Sequence, residues 1–204
     1  MSNSVADLIA CGTTEIFLAL PDWTTPPTLD LSFGREVIQY DEAVTRFRYL
    51  TSDLEWKSGG VFSNFFKTEE YYILDFFFRH MGRLKKFWLP VQSQYFKLAT
   101  NIGNGATVFT LDDDTFQYVY RGYERLYMLL SSGDMITRKI SSSHGSGEYS
   151  VATAFDRAIN KNNVVLFGKL ALVRFDQDEI EMQHDTPEVS TCELSFKELP
   201  KEYA

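Results

Sequence analysis

The sequence predicts a mainly β protein of the α+β class, in which antiparallel strands form barrel or sandwich layers around one principal α-helix. Two observations carry this prediction. Short segments that alternate apolar and polar residues, separated by turn formers, recur along the chain. A single stretch at about residues 68–81 combines helical spacing with helix-start and helix-end signals instead.

The helix prediction depends on the residues at both ends of this stretch. The Thr68 hydroxyl can accept a hydrogen bond from an unpaired amide of the first turn, and Gly82 can take the left-handed conformation that ends a helix. Charges also follow the helix dipole. The acidic residues at the start and the basic residues at the end are Glu69, Glu70, Arg79 and His80.

The apolar residues of the helix cover more of its circumference than one core-facing stripe requires. They include two adjacent rows, Ile73 with Phe77 and Leu74 with Phe78 and Met81. One interpretation is a helix buried between two β layers. The other is that one flank, through Tyr72 or Phe76, contacts a neighbouring subunit.

Strand patterns occupy the rest of the chain. Before the helix, strands are predicted at 28–33 and 36–40, parted by Gly34, and at 46–57. After it, the turn-forming segment NIGNGA (101–106) suggests a boundary between a domain at 1–103 and another at 104–204, with one compact unit as the alternative. Ser131–Asp134 predicts a hairpin turn, and 141–148 a loop. The last strands, 164–175, 179–184 and 189–196, predict an antiparallel meander.

Composition limits the classes of partner. No apolar run reaches the roughly 18 residues of a membrane-spanning helix, so we expect no membrane anchor. The formal net charge of −8 disfavours nucleic acid as a partner, because phosphate neutralisation requires concentrated lysine and arginine. Cys11 and Cys192 are too few for a disulfide framework or a paired-cysteine zinc site, which indicates reduced thiols and synthesis in a cytosol.

Catalytic patterns are absent from the sequence, so we expect neither an enzyme nor a cofactor. Asp112–Asp114 lack the spacing of a calcium loop and are typical of a turn instead. A nucleophile elbow has glycines two residues either side of its serine, and around Ser146 those positions are His144 and Glu148. The histidines lie in different segments without metal-ligand spacing; they are His80, His144 and His184.

A cluster of tyrosines supports an alternative function. The cluster contains four tyrosines and two arginines, which are Tyr118, Tyr120, Tyr123, Tyr127, Arg121 and Arg125. Exposed aromatic rings beside charges are typical of binding surfaces, so a carbohydrate- or receptor-binding β module of a virion is the second hypothesis. Ordinary cross-strand packing would also explain the cluster.

The order of features resembles a known family. Strands at FGREVIQY and RFRYLTSDLEW precede an aromatic helix ending in FFRHMGRLKKFWLP, with SGDMITRKI, ALVRFDQDEIEMQ and CELSFKELPKEY nearer the C-terminus. This pattern resembles the tail-tip structural proteins of long-tailed bacteriophages, of the distal-tail or baseplate-hub kind. The matching Gly-Arg turn and aromatic strand are Gly82, Arg83, Phe87 and Trp88.

The resemblance implies a structural subunit made in the host cytoplasm and located in the virion tail tip. There it would form a homo-oligomeric ring that links the tail tube to the hub or receptor-binding apparatus, with tube, hub and fibre proteins as partners. Two distant cysteines cannot supply the four ligands of an iron–sulfur hub, which favours a distal-tail or adaptor ring.

A ring requires two different complementary patches on each subunit. Besides Tyr72 and Phe76, the candidate interface consists of a basic helix end and an acidic meander edge. The basic residues are Arg79, Arg83, Lys85 and Lys86, and the acidic residues are Glu179, Glu181 and Glu188.

Overall fold

The computed structural model describes residues 10–11, 14–19, 21–22, 28–40, 44–64, 66–112 and 125–199. Strands account for 51% of the chain, and these ranges contain one α-helix, which confirms a β-rich α+β fold. The helix α1 is Lys67–His80. The strands are β1 (Ala10–Cys11), β2 (Thr14–Glu15), β3 (Thr28–Tyr40), β4 (Val44–Asn64), β5 (Phe87–Tyr95), β6 (Val108–Thr110), β7 (Arg125–Leu130), β8 (Met135–Gly145), β9 (Glu148–Val151), β10 (Val164–Phe175), β11 (Met182–His184) and β12 (Ser190–Glu198).

The chain divides into two compact units. Phe17–Phe87 and Leu172–Glu202 form the helix unit, and Trp88–Ala171 with the residues up to Ile16 form the β unit. The predicted boundary at 103/104 does not coincide with this division, because the last strands return to the helix unit. In neither unit do the described strands close into a barrel. No helix among the described residues is long and apolar enough to cross a membrane.

The helix unit is built on a long antiparallel hairpin. β3 pairs with β4, and its register shifts between Phe33 and Arg35, so Gly34 lies at an irregularity within one strand instead of separating two. β12 pairs with β4, and both β11 and the last residues of β10 pair with β12. The three C-terminal strands are therefore not a simple meander, because β10 pairs directly with β12.

Helix α1 begins one residue earlier than its sequence signals predict. Phe66 is the N-cap, and Thr68 lies inside the first turn. The Phe66 carbonyl accepts from the amides of Glu69 and Glu70, while the Phe66 amide donates to the Glu69 carboxylate at 3.3 Å. The Glu69 carboxylate, and not the predicted Thr68 hydroxyl, caps this end of the helix. A glutamate three residues after the N-cap can accept a hydrogen bond from the N-cap amide.

The β unit has its own apolar core. Its strand order is β10–β7–β8–β9–β6, and β5 also pairs with β10. The turn at Ser131–Asp134 joins β7 to β8 as predicted, with Gly133 at a φ of 88°. The predicted loop at 141–148 is instead largely strand, because β8 continues to Gly145 and β9 begins at Glu148. The largest core side chains include Phe109, Leu126, Met128, Ile140, Tyr149, Phe155 and Phe167.

Candidate interaction surface

The inner face of α1 anchors the helix to an aromatic core. The rings of Phe17, Phe76, Phe87 and Phe175 are fully buried. Their centroids are close, with 5.0 Å between Phe76 and Phe87 and 4.7 Å between Phe87 and Phe175. Such pairs add roughly 0.5–1.5 kcal/mol each beyond the burial of apolar area. The inner face of the helix is therefore fully engaged within the helix unit.

Tyr72 and Phe76, predicted as interface residues, both take part in this packing. Phe76 has no exposed surface, so its ring cannot contribute to a contact surface of the folded unit. Tyr72 is half-buried and its hydroxyl accepts a hydrogen bond from the Leu18 amide at 3.0 Å. The candidate contact surface on the helix must therefore be formed by other residues.

The outer face of α1 carries large apolar side chains in solvent. The exposed fractions are 62% for Tyr71, 67% for Phe78, 59% for Met81 and 72% for Leu84. Tyr71 and Phe78 lie seven residues apart, on one face of the helix, and Met81 and Leu84 follow at its end and in the next turn. We name these four residues the apolar stripe. The helix is thus not buried between two β layers, because its second apolar face points away from the core.

The turn after α1 is held against the loop that follows β10. Met81 and Gly82 both have left-handed backbone conformations, with φ of 53° and 57°. Arg83 donates from its guanidinium to the Asp176 carbonyl and from its amide to the Asp178 carboxylate. Arg83 therefore has an acidic partner, Asp178, within its own chain.

The other predicted basic residues lie along the same end of the helix. Arg79 Nε donates to Asp75 at 2.8 Å, one turn earlier. Lys85 Nζ donates to the Arg79 carbonyl at 3.0 Å, which places a positive charge at the negative end of the helix dipole. Lys86 is exposed. Arg79 and Lys85 are thus hydrogen-bonded to residues of the helix, whereas Lys86 is exposed to solvent.

The sheet of the helix unit adds further basic residues to this region. Arg174 on β10 is the register partner of Lys197 on β12, which in turn is the register partner of Lys57 on β4. Register partners lie on the same face of a sheet. We call these three residues the basic row. Asp176 neutralises Lys57, with 2.6 Å between the carboxylate and Nζ.

A cavity of about 380 Å³ opens beside the basic row. Its lining residues are Leu84, Lys85, Lys86, Arg174 and Leu199, and we call it the basic pocket. Among the described residues, the lining consists of three cations and two leucines. Arg174 Nε is shielded from solvent and has no hydrogen-bond partner among the described residues.

The acidic edge lies in the helix unit as well. Glu179, Glu181 and Glu188 are exposed around β11. Glu179 directly follows Asp178, whose carboxylate is 3.7 Å from Arg83 Nε. One end of the acidic edge therefore lies beside the basic helix end of the same chain. The sequence alone does not show this proximity.

A polar cluster is buried where α1 meets β12. The Ser190 hydroxyl donates to the Glu70 carboxylate at 3.0 Å, and Asn64 donates to Ser190 at 3.4 Å. Burial raises the pKa of the neighbouring Cys192 thiol from 9.0 to about 11, although a hydrogen bond with Asn64 opposes this shift. A thiol with this pKa is protonated near neutral pH, so Cys192 is not an activated nucleophile.

Several residues considered as catalytic candidates from the sequence are among the described residues. Ser146 lies in the turn between β8 and β9, where it has a φ of 52°. His144 Nε2 lies 2.7 Å from the Ser150 hydroxyl and 3.2 Å from that of Ser142, on an exposed hairpin. His80 is buried against Phe76. Asp113 and Asp114 lie outside the described residues. Across the described ranges, no three acidic, histidine or cysteine residues are grouped as metal ligands.

The tyrosine cluster is only partly described. Tyr118, Tyr120, Arg121 and Tyr123 lie outside the described residues. Tyr127 is buried in the β unit, and the Arg125 guanidinium lies 5.3 Å from the centre of the Trp88 ring. The described end of the cluster therefore packs internally.

The search of protein-family models finds no match to the chain, and neither does the search of curated proteins.

Sequence reasoning missed two parts of this surface. The apolar stripe has a signal in the helical spacing of Tyr71 and Phe78, but the pattern does not show which of two apolar rows faces the core. The basic row has no sequence signal, because Arg174, Lys197 and Lys57 become neighbours only through strand pairing.

Proposed function

We propose that this protein is a structural subunit of a bacteriophage tail tip. It would form a homo-oligomeric ring joining the tail tube to the hub or the receptor-binding apparatus. The apolar stripe is the observation that supports an assembly role most strongly. The resemblance of the helix, its Gly-Arg turn and the following aromatic strand to tail-tip proteins supports the particular assembly.

The apolar stripe is costly unless a partner covers it. Burying a large apolar side chain contributes about 1.5–3 kcal/mol relative to leaving it exposed. Several large apolar side chains exposed on one short segment are typical of interaction sites. The inner face of α1 is already occupied by Phe76, Phe77 and Ile73, so turning the helix would expose one apolar face in order to bury the other. A neighbouring subunit would bury the apolar stripe without disturbing the core.

Charge supports the same role. Ring contacts are heterologous, so each subunit needs two different surfaces. The exposed acidic edge, with Glu181 and Glu188, is a candidate for the second surface. Complementary charges would fix the orientation of one subunit relative to the next.

Measuring the mass of the protein in solution tests the assembly role. Wild-type protein is expected to form a defined oligomer in analytical ultracentrifugation at micromolar concentrations. Phe78→Glu should shift the population to monomers, because it introduces a charge into the apolar stripe. Val165→Glu is the matched control, because Val165 is a similarly exposed apolar residue on β10 in the β unit.

Imaging of virions tests the tail-tip assignment separately. Antibody-labelled particles should carry this chain at the end of the tail, and purified particles should contain it by mass spectrometry. A strict monomer that is also missing from purified particles would overturn the proposal.

A further inference from the structure

We propose that Asn104 is a site of spontaneous deamidation, and that backbone hydrogen bonds to Phe155 and Ile159 slow this reaction in the folded protein. The site lies within the segment NIGNGA (101–106), where Asn104 is followed by a glycine. This inference does not depend on ring formation, because the segment belongs to the β unit and the apolar stripe belongs to the helix unit.

Asn104 and Gly105 are the central residues of an exposed β-turn. The Gly103 carbonyl accepts a hydrogen bond from the Ala106 amide at 3.2 Å, which is the bond that closes such a turn. Gly105 has a φ of 77°, a conformation that favours glycine at this position. Both central residues are exposed, so water and hydroxide reach this part of the chain.

The pair Asn104–Gly105 is chemically reactive, because glycine has no side chain that hinders attack by its own amide nitrogen. Once hydroxide removes the Gly105 amide proton, the nitrogen forms a bond to Cγ of Asn104. The Cγ–Nδ2 bond breaks, and the leaving nitrogen takes up a proton and departs as ammonia. Water then opens the cyclic imide at either carbonyl, which gives aspartate or isoaspartate. Nothing is oxidised or reduced; one water is consumed and one ammonia is released.

The fold restrains the nitrogen that must attack. The Gly105 amide donates to the Phe155 carbonyl at 2.8 Å, so its proton faces a carbonyl oxygen instead of solvent. The Phe155 amide in turn donates to the Ala106 carbonyl at 2.9 Å. Ile102 and Ile159 exchange two further backbone bonds, at 2.9 and 2.8 Å. We call these four bonds the backbone clamp, and the buried side chains of Phe155 and Ile159 anchor it in the core of the β unit.

Deamidation in the folded protein therefore requires the backbone clamp to open locally. Its rate follows the population of molecules in which the Gly105 amide is released, as the rate of hydrogen exchange does. The isoaspartate product carries one additional atom in the backbone of the turn, so the turn no longer fits the clamp. Each reaction at Asn104 also adds a negative charge to the surface of the β unit.

Peptide mapping by mass spectrometry tests the proposal on the full chain. Wild-type protein is incubated at pH 8 in buffer and in denaturing urea. Asn104 should deamidate about tenfold or more faster in urea, because urea opens the backbone clamp. Asn101 is the internal control, since it lies in the same segment but precedes the β-branched Ile102, and it should react more slowly than Asn104 in urea. Equal rates of Asn104 in buffer and urea, or a rate no faster than that of Asn101, would overturn the proposal.

Two variants separate the chemistry from the clamp. Gly105→Ala should lose most of the reaction in urea, where the turn is absent and only the added methyl group matters. Ile159→Val removes one buried methyl group beside the clamp and should speed deamidation in buffer about two- to tenfold, with no change in urea. Val165→Ala is the matched control, because Val165 is exposed in the same unit, and it should leave both rates unchanged. An Ile159→Val rate in buffer equal to that of Val165→Ala would show that the clamp does not control the reaction.

Hydrogen exchange of the Gly105 amide, followed by nuclear magnetic resonance, tests the clamp without the chemistry. Fresh wild-type protein should exchange this amide slowly, and Asn104→Asp should do the same, because it adds the charge without lengthening the backbone. Aged protein enriched in isoaspartate should exchange it faster. Rapid exchange in fresh wild-type protein would overturn the proposed protection.

Discussion

Gly82 lies against Asp178, and this contact closes the turn between α1 and β5 onto the loop after β10. A Cβ atom at position 82 would lie 3.1 Å from the Asp178 Cα and 3.0 Å from the Gln177 carbonyl oxygen. The backbone of Gly82 also has a φ of 57°. Glycine is therefore required twice here, once for its conformation and once for the close approach of another loop.

Gly82→Ala is expected to destabilise the protein more than an ordinary glycine substitution at positive φ. Left-handed backbone costs a residue with a Cβ about 1–2 kcal/mol, and the contact with Gln177 and Asp178 adds to that cost. Gly133→Ala is the control, because Gly133 has a φ of 88° and open space around its Cα. Urea denaturation gives both free energies of unfolding. Equal losses in the two variants would show that the loop yields to the new methyl group.

Phe77 is buried and the adjacent Phe78 is mostly exposed, so the two residues form a matched pair. Phe77→Ala should cost about 3–5 kcal/mol in the free energy of unfolding, because its buried ring packs 4.8 Å from that of Phe175. Phe78→Ala should cost less than about 1 kcal/mol, since its ring is mostly exposed. Denaturant titrations of monomeric protein measure both. A loss below about 1 kcal/mol for Phe77→Ala would contradict its assigned burial.

Ser190→Ala should destabilise the junction of α1 and β12. The change removes the hydroxyl that donates to the Glu70 carboxylate, leaving a buried charge with one donor fewer. The expected loss is about 1–3 kcal/mol. Ser131→Ala, at an exposed turn, is the control and should change stability by less than about 0.5 kcal/mol. If thermal unfolding showed similar losses for Ser190→Ala and Ser131→Ala, the hydrogen bond between Ser190 and Glu70 would not stabilise the fold.

Cys192 should resist thiol reagents in the folded protein. Burial raises its pKa from 9.0 to about 11, so the folded state favours the protonated thiol. Its contribution to stability is fully present below pH 9.0 and is lost as the pH rises towards 11. In a Cys11→Ser background, a disulfide reagent at pH 8 should label the protein only after urea is added. Rapid labelling of native protein would contradict the assigned burial.

The sequence predicted correctly those helices and turns that are determined by residues a few positions apart. Turn residues located the connection between β7 and β8, and the charged ends located α1 to within one residue. The prediction of Thr68 as the N-cap was wrong, because the Glu69 carboxylate accepts a hydrogen bond from the Phe66 amide. The sequence alone does not show which of these two possible caps is more stable. Gly34 was wrong as a strand break because β4 continues to pair with β3 past the irregularity.

The amino-acid sequence alone determined the β-rich class, the single aromatic helix and its Gly-Arg ending, because these depend on backbone preferences and short-range spacing. Only the tertiary structure decided which face of α1 is buried, since both rows are apolar and the choice depends on Phe17 and Phe175 from distant segments. It also decided that Arg174, Lys197 and Lys57 share one face, since strand pairing places Lys57 beside Lys197, more than one hundred positions later in the chain.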